Sequence, residues 1–579
     1  MIWEIDFADV FEEKHGFDIV IGNPPYIRQE KISPPFRPKK EINLEEKRKY
    51  KEDLIESIKI KHPFIKEFDR KCDYYVYFYF HGLSLLNPKG TFCFITSNSW
   101  IDVDYGKVLQ EYLAKFVPIK AIYDNQVKRS FEHASINTII VFFGAPIFEK
   151  NKKPNPTCLD NIAKFIMLKK PYEEVISSQN LITIDKFNPD NQNLFGNILK
   201  ENDFRVYAIR QEDLLNEGLE VKEDKNEMFE NQSFGKYIGS KWGGKYLRAP
   251  DIYFTILKKG KDKLVRLGDI AEVRRGFTTG VNEFFYVEDV TEKIEFFRIK
   301  PKIKNLGEFN SINDIKTAGL RIVYNKKDDS YWLIEEEFLK PVIKSPRECK
   351  SILIRQEDLK YKVFMCQKSK NELEVLKALD YIKWGERKIY HKRPTCASRR
   401  RWWDLGVRDG APILVSAKIG ERYVVYSNQD RILEDKILYG VNLKNIKHEK
   451  KTVFILNSVI SRLFLELFSR QLTGAQAIAD VDVNVWEDVL LLYDKFYKNI
   501  TVNSEFLHRP IHSIFTELDF DPNKPIREQQ PNPLPDRKAL DDIVFDVLGL
   551  TEEERKEVYW ATAELVKNRL DKARSVKKK

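Results

Sequence analysis

The sequence predicts an α/β protein: a sheet whose strands alternate with helices, followed by a second folded unit and a helical C-terminus. Three observations carry that prediction. Short apolar runs rich in β-branched and aromatic residues recur between helical segments over the first 145 residues, the pattern of a parallel sheet with crossover helices. Strand-like segments resume near Leu264 after a stretch of weak periodicity. A proline-rich spacer, Asp521 to Pro535, precedes a charged helical stretch from Lys538 to Lys579.

The first strong strand is Phe17 to Ile21, a run suited to a buried parallel strand, and it stops at Gly22-Asn23-Pro24-Pro25-Tyr26 because proline cannot continue a ladder. Residues 31 to 70 form a Lys/Glu-rich, largely helical insert. Asp73 to Leu86 reads as an aromatic helix stopped by Asn87-Pro88-Lys89-Gly90, and Thr91 to Thr96 as the next buried strand. Tyr105 to Phe116 reads as helix, Ile119 to Tyr123 as extended chain and Ile136 to Phe143 as a further strand. On this pattern residues 1–150 form one domain, 151–262 a connecting region, 263–500 a second domain and 501–579 a spacer with a helical end.

With 42% hydrophobic, 32% charged and 13% aromatic residues, the composition is that of a folded chain and excludes wholesale disorder and collagen-like repeats. Lys and Arg total 98 against 88 Asp and Glu, so the excess of positive charge is modest and its location matters more than its sum. The six cysteines never form a C-x-x-C pair, which argues against a zinc knuckle or a disulfide scaffold and for no metal site. No stretch has the length and apolarity of a signal or membrane span, so a cytoplasmic location with no membrane partner is expected.

Asn23-Pro24-Pro25-Tyr26 after a buried strand is the most informative segment. An amino nitrogen conjugated to a ring is a poor nucleophile, because its lone pair is delocalised. If the side-chain oxygen of Asn23 and the carbonyl of Pro24 hold its two hydrogens, the nitrogen can pyramidalise and aim its lone pair at an electrophilic methyl. The prolines fix the turn, and Tyr26 offers a face on which a flat group can stack.

The segment FDIVIGNPPYIRQEKI resembles the catalytic motif of amino-methyltransferases that use S-adenosylmethionine, in particular the N6-adenine DNA methyltransferases of Eco-type and TaqI-like restriction-modification systems. Residues 73 to 101 and 126 to 143 are similar to the segments that follow this motif in those enzymes. The resemblance implies a partial class I, Rossmann-like methyltransferase sheet, then an α+β target-recognition domain and a helical C-terminus. It implies S-adenosylmethionine as cofactor, double-stranded DNA as partner, and a target adenine flipped out of the duplex. It assigns catalysis to Asn23, Pro24, Pro25 and Tyr26, and places Phe131 across the base from Tyr26, although both rings also suit a core.

The sequence departs from the family at its start, where no glycine-containing strand-to-helix turn for the cofactor precedes Asn23. WEIDFADVF is similar to the family segment in which an acid faces the cofactor's adenine, which makes Asp6 or Asp9 a cofactor residue or simply a surface carboxylate. Without the missing half, the strand at Phe17 to Ile21 would be a bare apolar edge. The expectation is an N-terminally truncated methylase that needs a second polypeptide for cofactor binding, or a non-catalytic DNA-recognition remnant.

LGDIAEVRRGFTTGVNEFFYV, residues 267 to 287, resembles the opening of the target-recognition domain and places Arg274, Arg275 and Thr278 near a glycine turn. YHKRPTCASRRRWWDL, residues 390 to 405, gathers His391, Lys392, Arg393, Arg399, Arg400 and Arg401 beside Trp402 and Trp403, the best local candidate for DNA contact. Arg470 and Gln471 lie in a segment similar to the end of that domain. A glutamine-amide protein methyltransferase fits the motif but not the long second unit, and N4-cytosine transfer usually goes with Ser at the position of Asn23.

Overall fold

The apolar runs of the first 210 residues pair into one seven-stranded sheet. The computed structural model describes residues 3–38, 41–65, 67–125, 127, 137–148, 155–189, 197–219, 236–472, 477–500 and 504–574. Its contacts divide the chain into two units: Met1–Tyr253 with Glu466–Ala479 and Glu564–Lys579, and Phe254–Leu465 with Asp480–Ala563.

In the first unit two short helices, α1 (Trp3–Asp6) and α2 (Ala8–Lys14), precede β1 (Phe17–Gly22). Helices α3 (Leu44–Lys61) and α4 (Tyr74–Ser84) follow, then β2 (Leu86–Ser97), α5 (Lys107–Phe116), β3 (Ile119–Asn125) and β4 (Thr138–Gly144). Strands β5 (Ile162–Leu168), β6 (Ile198–Lys200) and β7 (Phe204–Arg210) complete the sheet, in the order β1-β2-β4-β3-β5-β7-β6.

The expected parallel sheet is corrected to a mixed one. β1 with β2 and β3 with β5 are parallel pairs, whereas β4 runs antiparallel to both its neighbours and so does β7. The crossover through α5 leaves a slot between β2 and β3, and the chain fills it on its direct return, which reverses β4. Only residues 201–203 separate β6 from β7, too short a link for anything but an antiparallel turn. Asn87 to Gly90, expected to end the aromatic helix, instead lie inside β2, where the register to β1 slips between Phe17 and Ile19.

Residues 151–262 are not merely a connector, since they supply β5, β6 and β7. Their weak periodicity has a local cause. Arg205 interrupts the apolar pattern of β7, yet it is buried, and its guanidinium donates to the carbonyls of Tyr246, Leu247 and Ala249. A buried charge satisfied by backbone is compatible with a strand, but it erases the sequence signal.

The core of this unit lies between the sheet and α4, which is apolar on almost every side and buries most of its residues, with His81 exposed. Tyr79 packs against Phe92, Phe94, Trp100 and Phe143. Gly82 lets the helix approach β2, because a Cβ there would lie 2.7 Å from the Phe92 ring. The C-terminal end of the chain belongs to this unit too. On the helix Glu552–Arg574, Arg569 meets Glu466 in a fully buried two-pronged ion pair (3.0 and 2.9 Å), and Lys572 donates to the carbonyl of Asn125 at 2.5 Å.

The second unit holds a six-stranded sheet whose strands follow in space as Ser330–Glu335, Leu320–Asn325, Tyr286–Asp289, Lys362–Phe364, Leu339–Ile343 and Leu433–Glu434. A four-stranded antiparallel sheet runs Tyr426–Ser427, Ile413–Ser416, Leu438–Leu443, Ala271–Arg275. The helix Lys377–Arg387 lays Tyr381 and Trp384 against Phe284 and Trp332 in an aromatic core.

Candidate active site and recognition face

Asn23-Pro24-Pro25-Tyr26 follows the C-terminal end of β1 without regular secondary structure. Pro24 is buried, Asn23 and Pro25 are exposed, and Tyr26 is half-buried. The Tyr26 hydroxyl donates to the carbonyl of Ile95 in β2 at 3.0 Å, and burial pushes its pKa up to about 12, so it stays a neutral donor. Among the described residues no hydrogen bond engages the Asn23 side chain or the Pro24 carbonyl, whereas the Pro25 carbonyl accepts from Ile27. Two acceptors thus stand free beside an anchored ring, an arrangement that can hold a planar amino group.

The turn after the motif is tied down by residues that sequence reasoning did not single out. Asp73, at the start of α4, accepts from the Gln29 amide at 3.0 Å and from the Tyr105 hydroxyl at 3.1 Å, while Tyr74 donates its amide to Ile27. Lys51 of α3 donates to the Gln29 side chain at 2.8 Å, which gives the charged insert a role in fixing this turn. The available signal was an Asp directly before an aromatic helix, which reads equally well as an N-cap.

β1 and β2 are parallel, so the turn Asn98–Ile101 leaves the same end of the sheet as the motif. Arg470 reaches this end and donates to Ser99 Oγ at 3.4 Å, although it lies hundreds of residues away in the chain. The side chain of Gln471 and all of Phe131 lie outside the described residues. Asp6 and Asp9 are exposed on α1 and α2, and the rings of Trp3, Phe7 and Phe11 on this segment pack on Phe17.

The residues present do not fit S-adenosylmethionine as a complete site. β1 is the outermost strand of its sheet among the described residues, and on the face where Phe17 is covered by α1 and α2, Ile19 and Ile21 stay 66% and 76% exposed. Among the described residues no strand pairs with the other edge of β1. No helix among the described residues is long and apolar enough to cross a membrane.

In the second unit the predicted cationic segment divides into structural and exposed residues. Trp402 and Trp403, expected at a DNA surface, are corrected to core residues with 7% and 6% exposure. Their indole nitrogens donate to Glu386 and to the carbonyl of Lys368, and the Trp402 ring lies 4.6 Å from that of Phe284. Two large rings beside arginines satisfy core packing as well as an interface, and here packing won. Arg399 is half-buried and donates to the carbonyls of Thr278 and Trp402. Arg393 pairs with Glu283, and Arg401 with Asp404. Lys392 and Arg400 are exposed and form no ion pair among the described residues.

Arg274, Arg275 and Thr278 are exposed at the end of the strand Ala271–Arg275. Arg275 pairs with Asp482 at 3.0 Å and lies over the Tyr439 ring, while Arg274 donates to the carbonyl of Asp409 at 2.6 Å. The two arginines line a polar cavity with Arg408 and Glu434.

Comparison with known proteins matches two stretches of the chain. Residues 1–131 match the family described as Eco57I restriction-modification methylase, and residues 322–475 match the C-terminal domain of the type II methyltransferase M.Eco57I. The type II methyltransferase M.BstVI of Geobacillus stearothermophilus is 29% identical over 133 residues, which span 23% of this chain and 19% of that protein. Among solved structures, the type IIL restriction-modification enzyme MmeI in complex with DNA aligns at a TM-score of 0.46 and 12% identity, covering 97% of this chain and 59% of that one. The type IIG restriction endonuclease BpuSI aligns at 0.35 and 11%, covering 96% and 55%. This chain therefore spans well under two thirds of the length of each of these relatives.

Proposed function

We propose that this chain carries the target-base and DNA-recognition parts of a site-specific methyltransferase that moves a methyl group from S-adenosylmethionine to N6 of adenine in duplex DNA, within a restriction-modification or phage-defence system. The observation that supports it best is the pair of free acceptors, the Asn23 side-chain oxygen and the Pro24 carbonyl, beside the anchored Tyr26 ring. The adenine enters this site flipped out of the helix, at a cost of a few kcal/mol, and its face rests on Tyr26. Its amino hydrogens bind the two acceptors, which draws the lone pair out of conjugation. In this reading Phe131 closes on the opposite face of the base.

No strong base is required, because the amine becomes acidic once it carries the transferred methyl. The histidines are accordingly given no catalytic part. We assign the cofactor half to residues outside this sequence, on the same or on another polypeptide, that cover the open side of β1, where Ile19 and Ile21 stand exposed. Asp6 or Asp9 would then meet the cofactor at that junction. A second reading, a recognition subunit that never turns over alone, is favoured by the same uncovered strand.

Methyl transfer from labelled S-adenosylmethionine to mixed-sequence duplex DNA tests this, with the chain alone and with the product of the adjacent upstream reading frame. Activity in the mixture alone supports the split enzyme. Activity of the chain alone removes the need for a partner, and silence in both arms favours the recognition subunit.

A further inference from the structure

The cavity at the end of the strand Ala271–Arg275 is built around a carboxylate of which the fold leaves one oxygen unsatisfied. Glu434 is 5% exposed, and its Oε2 has no hydrogen-bond partner. Two glycines hold the backbone tight against it: a Cβ at Gly276 would lie 2.6 Å from the Glu434 carbonyl, and one at Gly440 would lie 2.9 Å from Glu434 Oε1. Burying a carboxylate with an unpaired oxygen is costly, so the feature calls for an account outside core packing.

The groups set against it are cationic. Arg274, Arg275 and Arg408 line the same cavity as Glu434 at exposed positions, and the charges of Arg274 and Arg408 oppose the rise that burial gives its pKa, although among the described residues neither forms an ion pair with it. Arg275 is drawn toward Asp482, which leaves Arg274 and Arg408 as the available pair. Arg274 spends one donor on the Asp409 carbonyl. Among the described residues Arg408 spends only its Nε, on the Leu405 carbonyl at 3.2 Å, and its two terminal nitrogens form a fork without a hydrogen bond. Its guanidinium also lies 5.9 Å from the centre of the Phe277 ring, which limits its rotation.

We propose that Arg408, with Arg274 beside it, reads the major-groove edge of a guanine in the recognition sequence, and that Glu434 is the positioning residue that holds the two guanidiniums at the cavity mouth. A fork of two N–H groups matches guanine O6 and N7 and no other base edge as well. A buried carboxylate beneath the forks orients them before DNA arrives, so less side-chain freedom is lost on binding. This inference rests on the reading of the second unit as a DNA-recognition domain.

The test is selection of duplexes from a randomised pool by the full chain, followed by salt titration on the enriched sequence and on mixed-sequence DNA. The wild type should enrich a motif containing guanine. Arg408→Ala should lower the preference for guanine at one position about tenfold, with mixed-sequence binding largely kept. Glu434→Gln should weaken the preference at that same position without lowering the thermal midpoint, a combination that a merely structural carboxylate would not give. Glu434→Asp, which keeps the charge, should retain part of the preference.

An unchanged motif in both Arg408→Ala and Glu434→Gln overturns the inference, as does an equal loss of affinity for every sequence, which would mark phosphate contact alone. Duplex binding by the wild type with no sequence preference also overturns it, while the methyltransferase proposal survives. Absence of any duplex binding sinks both.

Discussion

The hydroxyl of Tyr26 donates to the carbonyl of Ile95 at 3.0 Å, so the ring after the paired prolines is fixed to the neighbouring strand rather than left to swing on its loop. This separates two tasks of one residue. The hydroxyl holds position, and in the proposed function the ring takes the base.

The two tasks should come apart by mutation in the assembled enzyme. Tyr26→Phe loses one hydrogen bond, worth about 1 kcal/mol, and should slow methyl transfer modestly. Tyr26→Ala also loses the stacking face and should cost about tenfold to a hundredfold in rate. Asn23→Ala should abolish transfer while duplex binding is kept. Single-turnover rates beside equilibrium binding decide the matter, and an unaltered rate in Asn23→Ala would remove the proposed mechanism.

Arg400 and Trp403 are neighbours in the cationic segment yet should fail in different ways. Arg400 is exposed with no ion pair among the described residues, so Arg400→Ala should reduce the slope of log affinity against log salt by about one. Trp403 is in the core, and Trp403→Ala should cost about 3 to 5 kcal/mol of stability instead. Salt titrations and denaturation curves on both variants make the comparison. A steeper loss of binding than of stability in the tryptophan variant would return that ring to the interface.

Glu434 should make stability depend on pH. Burial lifts its pKa from the usual carboxylate range to about 7, against the opposing pull of Arg274 and Arg408. The folded state therefore favours the protonated acid more than the unfolded chain does. Its contribution is complete below the unfolded pKa, declines as pH rises, and is gone above about pH 7. Glu434→Gln should gain on the wild type between pH 5 and pH 8 by up to roughly 3 kcal/mol. A constant offset between the two melting profiles across that range would contradict the assignment.

The Glu466 and Arg569 pair should behave as a buried ion pair does. Glu466→Gln leaves the Arg569 guanidinium without its counter-charge at a fully buried position, which should cost about 3 to 5 kcal/mol. Replacing both residues by apolar ones of similar volume should restore most of that loss. Denaturant midpoints of the single and double variants measure it. Full stability in the single variant would show that the pair does not hold the C-terminal helix.

Most strands of the first sheet up to residue 144, the aromatic helix and the Asn-Pro-Pro-Tyr turn are legible without coordinates, because hydrophobic periodicity and proline act within a few residues of themselves. β7 is not, since Arg205 breaks the pattern and only carbonyls some forty residues on make its burial tolerable. Strand direction is not legible either, for β4 takes its sense from a slot that two other strands create.

The site divides along the same line. The sequence by itself determined which residues could hold an amino group, because Asn23, Pro24, Pro25 and Tyr26 are consecutive and a local turn suffices to present them. Only the tertiary structure decided what surrounds them: Ile95 under the Tyr26 hydroxyl, Asp73 behind the turn, Arg470 at the same sheet end, and Ile19 and Ile21 left uncovered. It also decided that Trp402 and Trp403 are core and that Glu434 lies beneath arginines. Burial and charge pairing join residues far apart in the chain, and a reading that proceeds along the chain registers residue type but not the partner that sets its role.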